Sequence, residues 1–160
     1  MTIQVGDALP QATFRTMTPD GPAAKTTDDL FKGRRVVLVA VPGAFTPTCH
    51  RNHLPGYVAK RDEILARGVD AILVTAVNDV FVLDAWSKSA AAEGVEFLAD
   101  GNGDFARALG LDMDGTGFGL GVRSKRYAML VDDGVVRVLN VEDTPSKAEL
   151  SGAETLLKSL

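Results

Sequence analysis

A single cysteine, Cys49, stands among 160 residues, and it closes the stretch PGAFTPTC. Thr is a good helix N-cap, and Pro in the first helical position gives up an N–H that has no partner there. Thr46-Pro47 therefore predicts a helix start, with Cys49 in its first turn. Free backbone N–H groups and the positive end of the helix dipole meet at such a turn, and both favour a thiolate, the nucleophilic form. Thr46, Thr48, His50, Arg51 and Asn52 make the surroundings polar, a poor setting for an inert core thiol. The chemistry expected is nucleophilic attack by sulfur.

The same residues limit the alternatives. One cysteine excludes an intrachain disulfide and suits a reducing compartment. With His50 and His53 it falls short of four tetrahedral ligands, so neither a metal nor another cofactor is expected. A base adjacent in sequence rarely points at its nucleophile, so surface or capping roles are expected of His50 and His53 rather than direct catalysis.

Elements around the thiol must place it. The β-branched run Arg35 to Val41 reads as a strand buried on both faces, and Val69 to Val77 as a second, with a helical crossover between them. The loop Pro42 to Thr48 then leaves the carboxyl end of the first strand, where open α/β sheets keep their ligand sites. Pro55-Gly56 predicts a kink before a helix resumes at Tyr57 to Ala66. Asn78 is expected to cap a helix carrying Val82, Leu83, Trp86 and Ala90, with Gly94 as its end and a strand at Val95 to Leu98. Asp133-Gly134 predicts a hairpin turn between Tyr127 to Val131 and Val135 to Val141. Ser146 to Glu149 fits a capping box opening a last helix with Leu150, Ala153, Leu157 and Leu160 on its apolar face. Another short hairpin is expected around Met17 to Pro22, and Gly-rich loops at 101 to 103 and 115 to 121. The whole is a single α/β domain over residues 1–160, a central mixed sheet flanked by helices.

Hydrophobic residues make up 46% and charged residues 24% of the chain, the balance of a globular domain rather than a disordered one. A net charge of -4 without a long basic block argues against nucleic-acid binding. The longest uncharged apolar run, Val36 to Phe45, is too short to span a bilayer, and the start MTIQVGDALP lacks the pattern of a signal peptide. A cytoplasmic protein that binds neither nucleic acid nor membrane is expected.

Pro42-x-x-x-Thr46-x-x-Cys49 resembles the active-site signature of the peroxiredoxins, and PGAFTPTC followed by HLPGY resembles their type-II branch. The likeness continues through GDALP, VNDVFVLDAW and RSKRYAMLVDDGVVRVLNVE, in order, over nearly the whole chain. It implies a thioredoxin-like fold and a thiol-dependent peroxidase acting on hydrogen peroxide and alkyl hydroperoxides through a sulfenic acid at Cys49. It further implies that Thr46 orients the peroxide, that Pro42 shields the site, and that the amides of Thr48 and Cys49 contact the substrate oxygens. Arg126 would hold thiolate and substrate, with Arg123 as the neighbouring candidate. Lacking a second cysteine, the chain needs an external thiol, glutathione with glutaredoxin or else thioredoxin. A homodimer is implied through the active-site loops, with Phe45, Trp86 and the loop 115–121 near its edge. Trp86 is equally explained by core packing. Two other readings of the thiol stay open at this level: a redox-sensing or chaperone-like binding protein, and a glutaredoxin-like thiol-disulfide oxidoreductase.

Overall fold

A computed structural model describes residues 2–160. Strand β3 (Arg35–Ala40) lies inside a seven-stranded mixed sheet of order β2-β1-β5-β4-β3-β8-β9. Its neighbours are β4 (Ala71–Ala76), parallel to it, and β8 (Tyr127–Asp132), antiparallel. Burial on both faces explains the near-continuous apolar sequences RVVLVA and AILVTA. β5 (Glu96–Ala99) extends the parallel part beside β4. β1 (Thr13–Thr18) and β2 (Gly21–Thr26) form the expected N-terminal hairpin, with Met17 opposite Pro22. β9 (Val135–Val141) pairs with β8 through Asp133 and Gly134, both at positive φ (49° and 77°) as the Asp-Gly pair predicts.

Alternation along β3 and β4 sends side chains into two cores. Val37, Val39, Ile72 and Val74 face one side with Cys49, Leu54, Tyr57, Leu83, Trp86 and Leu156. Those partners come from α2 (Leu54–Ala59), α4 (Val80–Ser89) and α6 (Ala153–Leu157), and from the turn before α2; α3 (Arg61–Leu65) adds Ile64. Val36, Leu38, Ala40, Leu73 and Met129 face the other side, toward Phe31 of α1 (Thr27–Phe31) and Phe105 of α5 (Asp104–Leu109). Each large apolar side chain buried in this way contributes about 1.5–3 kcal/mol.

Several boundaries differ from the sequence reading. α4 is capped by Asp79, whose carboxylate accepts from Val82 N at 2.8 Å, because the Asn78 amide oxygen is already taken by Ala44 N–H at 2.9 Å. That helix ends at Ser89, five residues before Gly94: Ala90 caps it and Ala91 turns the chain at φ 48°. The capping box at Ser146 does not form. The Ser146 hydroxyl pairs with that of Thr144, Leu150 is exposed, and α6 starts only after Gly152. A reciprocal box does exist at α1, where Thr26 and Asp29 bind each other's backbone N–H groups. The Gly-rich loop 115–121 holds a short 3₁₀ turn, Thr116–Phe118, between the strands β6 (Asp112–Asp114) and β7 (Val122–Ser124) of a two-stranded ribbon. No helix among the described residues is long and apolar enough to cross a membrane.

Candidate active site

Beyond β3 the chain stays tied to the sheet through Val41 N–H to Thr75 O at 3.1 Å, then turns over Pro42 to Phe45. The Thr46 carbonyl accepts from His50 N–H at 2.8 Å and so opens the helix, with Pro47 in its first position. The Thr46 side chain caps nothing: its hydroxyl donates to Gly43 O at 2.7 Å. A Cβ at Gly43 would lie 3.2 Å from Thr46 Cγ2 and 2.9 Å from Arg123 Nη1, so the missing side chain lets all three meet.

The kink expected at Pro55 is displaced toward the thiol. Residues Cys49–His53 form a π turn, closed by Leu54 N–H to Cys49 O. A proline ring collides with the carbonyl four residues before it in a regular helix, and the wider turn relieves that contact at Arg51. α2 continues through Pro55 without interruption, and the chain breaks instead at Lys60, between α2 and α3.

Cys49 is fully buried and belongs to the core cluster under the sheet, against the expectation of a purely polar setting. What covers the sulfur decides its chemistry. Arg126 Nη2 donates to Cys49 Sγ at 3.0 Å, and Arg126 is itself only 2% exposed. The remaining donors of this guanidinium go to Pro145 O, at 3.2 Å from Nε and 2.9 Å from Nη2, and to His53 Nδ1, at 3.0 Å from Nη1. Among the described residues Arg126 makes no ion pair with a carboxylate. A buried cation needs a compensating partner, and among the described residues the sulfur is the one acidic group bonded to it.

His53 corrects the surface or capping role expected of it. It is buried, and its Nε2 lies 3.0 Å from Ser151 O. A carbonyl only accepts, so Nε2 carries the proton and Nδ1 is left to accept from Arg126. Burial, helped by the charge of Arg126, lowers its pKa from 6.5 to about 3, so the ring is neutral at physiological pH. The unfolded chain then takes up a proton between pH 6.5 and about 3 that the folded chain does not, and stability falls as pH falls through that window. Between pH 7 and 5, wild-type protein is expected to lose up to about 2 kcal/mol more stability in urea titrations than His53→Gln. An identical pH dependence in the two proteins contradicts this.

Tyr57 also donates to Ser151 O, at 2.5 Å; burial first, then the Glu142 charge, raise its phenol above the ordinary range, and it stays protonated. Glu142, buried, accepts from both Ser151 N and Ser151 Oγ at 2.6 Å. The Thr48 hydroxyl donates to Ser146 O at 3.2 Å. Arg123 lies at the rim, with Nε on Leu120 O at 2.9 Å and Nη1 on Pro42 O at 3.4 Å; it does not bond the sulfur. His50 points elsewhere and accepts from Trp86 Nε1 at 3.0 Å, while Trp86 is entirely buried. Of the residues singled out in the sequence, Arg126 bonds the Cys49 sulfur, Thr46 bonds Gly43, Thr48 bonds Ser146, Pro42 accepts from Arg123, and His50 is turned toward Trp86. Sequence reasoning missed His53, Tyr57, Glu142 and Ser151 as parts of the site. For His53 a signal existed: four residues beyond Cys49, it shares a helix face with the thiol.

Residues 4–157 match the Redoxin family. Peroxiredoxin-2E-2, chloroplastic, from Oryza sativa subsp. japonica is 50% identical over 99% of this chain and 73% of its own length. The hybrid peroxiredoxin hyPrx5 of Haemophilus influenzae is 41% identical over 100% of this chain and 67% of its own. Among solved structures, that of reduced Prx3 in complex with hydrogen peroxide from Vibrio vulnificus matches with a TM-score of 0.94 and 50% identity, covering 99% of both chains. The fold is thus thioredoxin-like, as the resemblance implies. The chain belongs to the peroxiredoxins of the Redoxin family, on their type-II side, and is a thiol-dependent peroxidase whose lone cysteine fits a one-cysteine cycle.

Proposed function

We propose that Cys49, as thiolate, attacks the terminal oxygen of a hydroperoxide: the S–O bond forms as the O–O bond breaks, and water or an alcohol leaves once protonated. The observation that carries this reading is the buried Arg126 guanidinium, 3.0 Å from Sγ and without a carboxylate partner among the described residues. In the transition state negative charge spreads over sulfur and both oxygens, and donors fixed in advance act most strongly there. Arg126 is one; the amides of Thr48 and Cys49, in a first helical turn with no intrahelical acceptors, are two more. Thr46 orients the peroxide and Pro42 covers the site from water.

The sulfenic acid then condenses with an external thiol to a mixed disulfide and water, and a second thiol releases Cys49. Glutathione with glutaredoxin, or thioredoxin, is the proposed reductant, in a reducing compartment such as the cytoplasm. Because Cys49 is fully buried, its cover has to move for both the peroxide and the thiol to reach the sulfur. Phe45, 46% exposed, and Phe118, 81% exposed, support a homodimer joined through the active-site loops. Sedimentation of Phe45→Ser and Phe118→Ser is expected to show monomers, and dimers of undiminished affinity refute that interface.

Stopped-flow mixing of the reduced protein with hydrogen peroxide and an alkyl hydroperoxide is expected to give one sulfenic acid per chain, and Cys49→Ser none. Glutathione with glutaredoxin, or thioredoxin, then restores turnover. A single stoichiometric oxidation with no thiol able to restart it favours a redox sensor instead.

A further inference from the structure

Residues 142–151 run from the end of β9 toward α6 without regular secondary structure. Within this segment three carbonyls accept from the residues around the thiol. Pro145 O takes Arg126, Ser146 O takes Thr48, and Ser151 O takes both His53 and Tyr57. Glu142 ties both ends of it. Its own N–H donates to the Arg126 carbonyl at 3.0 Å, and its carboxylate grips Ser151 N and Oγ at 2.6 Å each. This carboxylate is buried and has no cationic partner among the described residues.

We propose that Glu142 is a positioning residue for the peroxide reaction: by closing 142–151 into a strap, it holds the carbonyls that aim Arg126 at Cys49 and fix the His53 tautomer. The inference rests on the reading of Arg126 given under Proposed function. Its physical basis is a chain of obligatory donors and acceptors. With Ser151 O in place, the His53 proton sits on Nε2 and the Nδ1 lone pair faces the Arg126 Nη1–H. With that carbonyl displaced, the ring is free to take its proton on Nδ1, which sets one N–H against another. The guanidinium then loses a partner on one side and, as Pro145 moves with the strap, its acceptor on the other. Misplacing such a group by about 1 Å is enough to cost orders of magnitude in rate.

In Glu142→Ala, oxidation of Cys49 by hydrogen peroxide, measured by stopped flow on folded protein at pH 7, is expected to slow about 10- to 100-fold. Glu142→Gln keeps one carbonyl oxygen able to accept both Ser151 bonds and is expected to stay within about 3-fold of wild type. The ¹⁵N spectrum of His53 supplies a readout that a merely stabilising residue does not move. Wild type and Glu142→Gln show the Nε2–H tautomer, and Glu142→Ala a mixture. Should Glu142→Ala fail to fold, Ser151→Ala, which removes one of the two bonds, is expected to slow oxidation about 3- to 10-fold. Wild-type rates together with an unchanged His53 tautomer in the folded variants overturn the proposal. Arg126→Gln, run beside them, separates the two levels: if it reacts at the wild-type rate, the reading of Arg126 itself fails. If it is slow while Glu142→Ala is normal, only the role of Glu142 falls.

Discussion

Arg126→Gln is expected to slow oxidation of Cys49 by hydrogen peroxide about a thousandfold at neutral pH, the loss typical of removing a preorganised donor from a water-poor site. The effect is large because, among the described residues, no other cation bonds the sulfur. Arg123 is committed to Leu120 O and Pro42 O at the rim, and His53 is neutral. Removing Arg126 leaves His53 buried, and burial is the first cause of its low pKa, so the ring stays neutral and does not substitute as a charge. Arg126→Lys is expected to recover little. The guanidinium serves Cys49, His53 and Pro145 at once from a rigid plane, and an ammonium on a flexible stem cannot reproduce that fork. Stopped-flow rates across a peroxide concentration series check this, with folding followed by circular dichroism. Wild-type rates in a folded Arg126→Gln protein contradict it.

How far the sequence discloses such a site depends on how local each signal is. The turn at Cys49 is written in adjacent residues, since Pro47 sets the helix start through its fixed φ, although the Thr46 hydroxyl expected to cap it bonds Gly43 instead. The central strands are equally plain, because burial on both faces demands continuous apolar sequence in β3 and β4. Asp133-Gly134 names its turn by itself. The strap is different. Ser146 to Glu149 satisfies a capping pattern, yet Ser146 gives its carbonyl to Thr48, 98 positions away, and the helix waits for Gly152. The α4 cap moved to Asp79, since Asn78 is engaged by the active-site loop. At Asn78 local propensity lost to a tertiary hydrogen bond at the site, and at Ser146 the hydroxyl that would cap is paired with Thr144. Glu142 was illegible for the same reason: its partner Ser151 lies across an irregular segment with no periodicity to place it. Arg126 became readable only through the family resemblance, because nothing near it in sequence indicates a thiol 77 positions earlier.

Thr46 allows its structural and chemical roles to be taken apart. Its carbonyl, not its hydroxyl, opens the helix, so losing the hydroxyl removes only the bond to Gly43 and costs about 1 kcal/mol of stability. In the resting protein that hydroxyl spends its hydrogen on Gly43 O, which leaves its oxygen lone pairs to accept the O–H of an incoming hydroperoxide. Thr46→Val keeps the shape and removes the acceptor. Peroxide turnover is expected to fall about 100-fold, because a site built around a hydrogen bond penalises its absence strongly. Thr46→Ser restores the oxygen but drops the methyl that packs against Gly43. Its hydroxyl rotates more freely, and turnover is expected within about 10-fold of wild type. Steady-state peroxide consumption with a saturating thiol reductant, set beside urea midpoints for the three proteins, makes the comparison. Equal turnover in Thr46→Val and Thr46→Ser, at equal stability, removes Thr46 from the reaction and leaves it only its place in the fold.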